Sequence, residues 1–148
     1  MTFEISKSGD EDEIRRQIDH FVTAFCTKDL DLMMSLYAPE MVSYDIVPPL
    51  QDAGRDTYKN VWEKTFTLFG DSIDIDIRDL RISTGGNVAF SHNLLRIHGT
   101  KANGQKIDYW ERLTLCFRKI DNNWLVVHEH VSVPVDFENG KAMVDLKP

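Results

Sequence analysis

The sequence predicts an α+β fold, with helices lying against one face of a curved, mostly antiparallel sheet. Three observations carry that expectation. Before Gly70, apolar residues recur at helical spacing. After Gly70 the period changes to two, with Ile73, Ile75 and Ile77 alternating with Asp74, Asp76 and Arg78. Residues 106–133 then hold two long runs rich in β-branched, aromatic and leucine residues around the polar turn Asp121-Asn122-Asn123, the pattern of a hairpin. Helices followed by strands segregate into two packed layers.

Taken in order, the chain opens with a short polar tail in which Ser8 or Asp10 can cap a helix, placing Glu11, Asp12 and Glu13 in the first turn where the macrodipole favours them. Ile14, Ile18, Phe21, Val22 and Phe25 form the stripe of that helix, with His20 beside it as a surface histidine. Thr27-Lys28-Asp29 breaks the pattern. A shorter helix follows with Leu30, Met33, Met34 and Tyr37 inward, ending by Ala38-Pro39 because proline restricts the residue before it. Residues 41–47 read as a short strand that stops at Pro48-Pro49. Gly54-Arg55-Asp56 opens a third helix with Tyr58, Val61, Trp62, Thr65, Phe66 and Phe69 on its apolar face.

The strand after Gly70 continues through Leu80 and Ile82 with a bulge. Gly85-Gly86-Asn87 turns the chain into a strand over 88–97, and Lys101-Ala102-Asn103-Gly104 turns it into the hairpin. The tail, 134–148, has weak periodicity and is expected to wrap the surface as an irregular segment.

Composition bounds the function classes. At 148 residues the chain fits a single domain, 1–148, able to bury its own core. Twenty-four acidic against 17 basic side chains leave a formal charge of −7 without a basic run, which argues against nucleic acid as a partner. No stretch approaches the roughly 18 apolar residues of a membrane span, so no membrane partner is expected. Two cysteines, Cys26 and Cys116, lack framework spacing and suit a reducing cytoplasm as small hydrophobes. Phosphate loops, nucleophile elbows and HExxH are absent from the sequence, and the expectation is of a protein without cofactor or metal.

The candidate site is read from the hairpin. On its first arm Tyr109, Glu111, Leu113 and Phe117 share one face, and Trp110, Arg112, Thr114 and Cys116 the other. On its second arm Trp124, Val126, His128, His130 and Ser132 alternate with Leu125, Val127, Glu129 and Val131. A face grading from apolar residues to carboxylate, phenol and imidazole suits a pocket wall. Whether Glu111 or Arg112 faces the pocket stays open. Asp45, beside an apolar proline-bounded loop, is either a partly dry general base or a turn aspartate bonding its own backbone. Tyr58 and Trp62 add large apolar bodies with polar tips. Asp45, Glu111 and His130 are therefore the catalytic candidates, and Tyr58, Trp62, Tyr109, Arg112 and His128 the ligand-binding ones. A metal site built from His128 and His130 with Glu111 or Asp45 is the weaker reading, because one HxH in a strand is a weak signal.

The segment AFCTKDLDLMMSLYAPEMVSYD, the helix start GRDTYKNVW and the ending WLVVHEHVSVP together resemble the nuclear transport factor 2-like fold, near its ketosteroid isomerase-like and SnoaL-like branch, over most of residues 14–135. The resemblance implies a cone with a deep pocket between sheet and helices, a small-molecule ligand or substrate, and a homodimer joined through the sheet. The fold hosts isomerases, cyclases and dehydratases as well as non-catalytic domains. The ending is also similar to the association domain of calcium/calmodulin-dependent kinases. By that resemblance Asp45 matches the isomerases' general-base aspartate, whereas Phe21 and Leu113 fall where their oxyanion-hole tyrosine and carboxylic acid stand. Steroid isomerisation is thereby disfavoured, because the developing enolate would lose its principal donors. The expectation is an acid/base isomerase, cyclase or lyase acting on an apolar or polyketide-like substrate, or else a ligand-binding or oligomerisation domain without chemistry.

Overall fold

The structure, a computed structural model, describes residues 2–148, with side chains from Gly9 onward. Three helices, α1 (Thr2–Thr27), α2 (Leu30–Ser35) and α3 (Arg55–Leu68), pack on a six-stranded sheet. Its strands are β1 (Tyr37–Tyr44), β2 (Asp52–Ala53), β3 (Asp74–Gly85), β4 (Val88–Thr100), β5 (Lys106–Ile120) and β6 (Asn123–Ser132), in the spatial order β2-β1-β6-β5-β4-β3. All neighbours are antiparallel except β1 and β6. The tail adds a small hairpin, β7 (Val135–Asp136) with β8 (Lys141–Ala142). The expected α+β architecture is the observed one.

Ile14, Ile18, Phe21 and Phe25 of α1 are buried against Trp62 and Phe66 of α3 and against Leu95, Leu113, Leu115 and Phe117 of the sheet. Edge-on contacts of Phe21 and Phe25 with Trp62, at centroid separations of 6.0 and 5.4 Å, tie the two long helices together. Asp29 caps α2 by accepting the Leu32 amide at 3.0 Å.

Several boundaries differ from expectation for identifiable reasons. α1 is helical from Thr2, so positions 8 and 10 fall inside it rather than at its start; Asp10 accepts from Lys119 Nζ at 3.2 Å and Trp124 Nε1 at 3.3 Å. α2 ends at Ser35, and Tyr37 begins β1, pairing with Val126. Helical spacing in LDLMMSLY hides that switch, because a strand entering beside β6 gains a ladder that an isolated helical turn lacks. The bulge in β3 is present where expected: Arg78 pairs with Leu94 and Arg81 with His92, with Asp79 at φ 58°. The β5–β6 turn is two residues long, Asp121 and Asn122 both having positive φ, while Asn123 already belongs to β6.

Candidate functional site

A second bulge decides what faces inward from β6. Cys116 pairs with His128 but Phe117 with Val126, so Val127 is an extra residue on β6. Before it, Trp124 and Val126 point into the core; beyond it the parity reverses and Glu129 and Val131 do so. His128 and His130 therefore stand on the outer face, correcting both as pocket residues. There they pack against Tyr44, with centroids 4.6 and 5.5 Å away, and His128 Nδ1 lies 2.8 Å from the Val42 carbonyl oxygen. They cannot join Glu111 or Asp45 around one ion from that side. Among the described residues no three His, Cys, Asp or Glu side chains are grouped to hold a metal.

β5 keeps strict alternation, which settles the adjacent pair. Glu111 faces inward, 7% exposed, whereas Arg112 is exposed on the outer face and donates from Nε to Ser132 Oγ at 3.0 Å. Arg112 is thus also corrected as a pocket residue.

On the inner side a cavity of about 340 Å³ opens between α1, α3 and the sheet. Phe21, Phe25, Trp62, Leu95, Ile97 and Leu113 supply much of its apolar wall, and Asp45, Tyr58, Tyr109, Glu111 and Glu129 its acidic and phenolic groups. Lys101 is the sole basic side chain among its described lining residues. Five of the sequence-derived candidates are thereby brought together: Asp45, Glu111, Tyr58, Trp62 and Tyr109. Phe21 and Leu113, the apolar replacements in the isomerase comparison, both line the same space.

Asp45 follows directly on β1 and is half-buried. Its Oδ1 accepts the Ile46 amide at 2.6 Å, as a turn aspartate does, and its Oδ2 lies 3.2 Å from the Tyr58 hydroxyl in the cavity. Burial raises its pKa, partly opposed by those two hydrogen bonds. Glu111 has no hydrogen-bond partner among the described residues, and burial, then the nearby charges of Asp45 and Glu129, push it up to about 8. Near neutrality it keeps its proton and can donate one. Tyr109, on the same strand face, is raised by burial and by the Glu111 charge, so it also stays a donor.

Glu129 is the cavity-lining carboxylate that sequence reasoning missed. Only 2% exposed, it accepts from Tyr37 and Tyr58, each at 2.5 Å, and from Ser43 at 3.4 Å. Burial pushes it up to about 7 despite the opposing hydrogen bonds of the two phenols. The signal that could have found it is the Val126-Val127 doublet, where an added residue shifts alternation without interrupting the apolar run.

The profile of the SnoaL-like domain matches residues 14–136. The chain belongs to the SnoaL-like family, within the nuclear transport factor 2-like superfamily. No curated protein matches this SnoaL-like chain. Among solved structures it is similar to a nuclear transport factor 2-like protein of unknown function from Pseudomonas putida, at 29% identity over 95% of this chain and 98% of that one, with a TM-score of 0.88. It also resembles a candidate calcium/calmodulin-dependent protein kinase II association domain from Xanthomonas campestris, at 24% identity, 90% and 88% coverage and a TM-score of 0.73. A candidate scytalone dehydratase from Novosphingobium aromaticivorans matches at 15% identity, 89% and 87% coverage and a TM-score of 0.77. The last two likenesses are of fold alone. None of the described helices is long and apolar enough to cross a membrane.

Proposed function

We propose that this SnoaL-like protein catalyses acid/base chemistry on a small molecule with an apolar body and a polar end, as an isomerase, cyclase or lyase. The observation that carries the proposal is the pairing of Asp45 and Glu111 on one apolar cavity. Asp45, half-open and fixed by the Ile46 amide, is the base. Glu111, buried without a protein partner and carrying a proton near neutrality, is the acid that polarises or protonates a substrate oxygen. Two carboxyls whose surroundings separate their proton affinities form the usual basis for such a division of labour. Phe21 and Leu113 supply no donors, so the dienolate support of a steroid isomerase is missing and Glu111 with Tyr109 takes the donor role from another position. An apolar or polyketide-like substrate suits the lining.

The test is a screen of enolisable ketones, lactones and small aromatic acids, with wild type and Asp45→Asn measured in parallel. Turnover of any substrate found should fall by about 10²-fold or more with affinity nearly unchanged. Equal turnover in both proteins removes Asp45 as the base.

A second reading, non-catalytic binding or assembly, is favoured by the predominance of apolar lining, which serves retention of a ligand without chemistry. The named association domain of Xanthomonas campestris has the same fold. In either reading we infer a homodimer through the outer sheet face, supported by the exposed Val88 and Phe90, and a cytoplasmic location, supported by the two free cysteines.

A further inference from the structure

Asp45, Tyr58 and Glu129 form a chain that the acid/base reading leaves unused. The Tyr58 oxygen lies 2.5 Å from Glu129 Oε2 and 3.2 Å from Asp45 Oδ2. A phenol carries one hydroxyl proton and accepts through its lone pairs. With both carboxylates ionised, that proton satisfies one of them and the other faces a lone pair. With one proton added to the pair, both contacts become hydrogen bonds in either of two arrangements. In the first, protonated Asp45 donates to Tyr58 and Tyr58 donates to ionised Glu129. In the second, protonated Glu129 donates to Tyr58 and Tyr58 donates to ionised Asp45. Passing from the first to the second breaks the Asp45 O–H and Tyr58 O–H bonds and forms a new O–H on Tyr58 and one on Glu129. The phenol is unchanged, and one proton has moved from Asp45 to Glu129.

We propose that Glu129 is a positioning residue for Asp45, sharing one proton with it through the Tyr58 hydroxyl, so that when this proton rests on Glu129 the phenol holds Asp45 ionised and ready to accept a proton from a substrate. The catalytic meaning rests on Asp45 being the base; the proton sharing itself does not. The surroundings favour a shared proton over two ionised groups. Asp45 is faced by Tyr58 from α3, by Asp52 from β2, and by Glu111 and Tyr109 from β5. Glu129 is faced by Tyr37 and Ser43 from β1 and by Glu111 from β5. Lys101 is the one cation lining the same space among the described residues, and it hydrogen-bonds to neither carboxylate. Tyr37 and Ser43 meanwhile steady Glu129, leaving the Tyr58 link as the one that can reverse. Burial raises both carboxyls, Glu129 to about 7.

The experiment is a carboxyl carbon NMR titration of the ligand-free full chain. In wild type, Asp45 and Glu129 should each respond in two steps at shared midpoints. Tyr58→Phe retains the ring and both carboxyls but removes the bridging oxygen, and should reduce Asp45 to one step. Glu129→Gln should also leave one step, with the Asp45 midpoint lowered by about one pH unit or more because the Tyr58 proton is then free to donate to ionised Asp45. Tyr37→Phe, which removes a donor from Glu129 outside the chain, should keep two steps and so separates sharing from general loosening. Two Asp45 steps persisting in Tyr58→Phe would show a through-space effect and overturn the proposal, as would an unmoved Asp45 midpoint in a folded Glu129→Gln protein. If Glu129→Gln fails to fold, Tyr58→Phe decides alone. The catalytic reading is judged separately by Asp45→Asn turnover, so either can fail without the other.

Discussion

Tyr37 donates to Glu129 across 2.5 Å, fastening the first residue of β1 to the last strand of the sheet where the two run parallel. Both side chains are buried, so the bond is shielded from water and its loss strands a carboxylate. Tyr37→Phe should cost about 1–3 kcal/mol. The deficit should grow between pH 6 and 8, as Glu129 ionises in the fold and lacks a donor. Urea unfolding at both pH values measures it, and an equal deficit at the two would contradict the assignment.

Glu111 gives the fold a pH dependence of its own. Its folded pKa is about 8, above the ordinary 4.5 it takes in the unfolded chain, so the fold binds a proton that the unfolded chain releases earlier. The contribution is complete below pH 4.5 and is lost as pH rises through 8. Glu111→Gln removes the ionisation, and its stability relative to wild type should be higher at pH 9 than at pH 5 by about 4 kcal/mol. Parallel denaturation curves with the same difference at both pH values would refute this.

Gly99 holds a backbone position that no side chain fits. Its φ is +139°, and a Cβ there would lie 2.0 Å from the Ser72 carbonyl oxygen and 2.9 Å from Ile73 Cα. Gly99→Ala should therefore cost at least about 2 kcal/mol and displace the segment joining α3 to β3, two residues from the cavity-lining Lys101. Thermal unfolding tests the first effect; a variant as stable as wild type would show that the close approach is not needed.

Phe90, 48% exposed, lies on the outer face in register with Cys116. If this face joins two copies, Phe90→Glu should give a protomer-sized species in sedimentation while wild type sediments at twice that mass. Wild type running as a protomer at micromolar concentration would end the proposal.

Much of this arrangement is legible in the sequence where spacing and burial coincide. Ile14, Ile18, Phe21 and Phe25 mark the face of α1, Tyr58 and Trp62 that of α3, and alternation places Tyr109 and Glu111 inside. Turn residues mark the hairpins, and the interrupted alternation near Leu80 marks the β3 bulge. Tyr37 was hidden because its spacing fits a helix, while the strand it enters is stabilised by pairing with a segment far away in the chain. Glu129, His128 and His130 were misplaced for one reason: a bulge between two valines changes no local composition, yet turns over everything after it.

That extra residue also has an evolutionary meaning. Straightening the bulge with Val127 kept in the ladder would, at the level of strand parity, exchange an inward carboxylate for two inward imidazoles without altering a single codon. Two relatives with the same residues in the same order could thus present different chemistry to their ligands. In comparing such relatives, the pairing register of this strand carries the weight normally given to a substituted active-site residue.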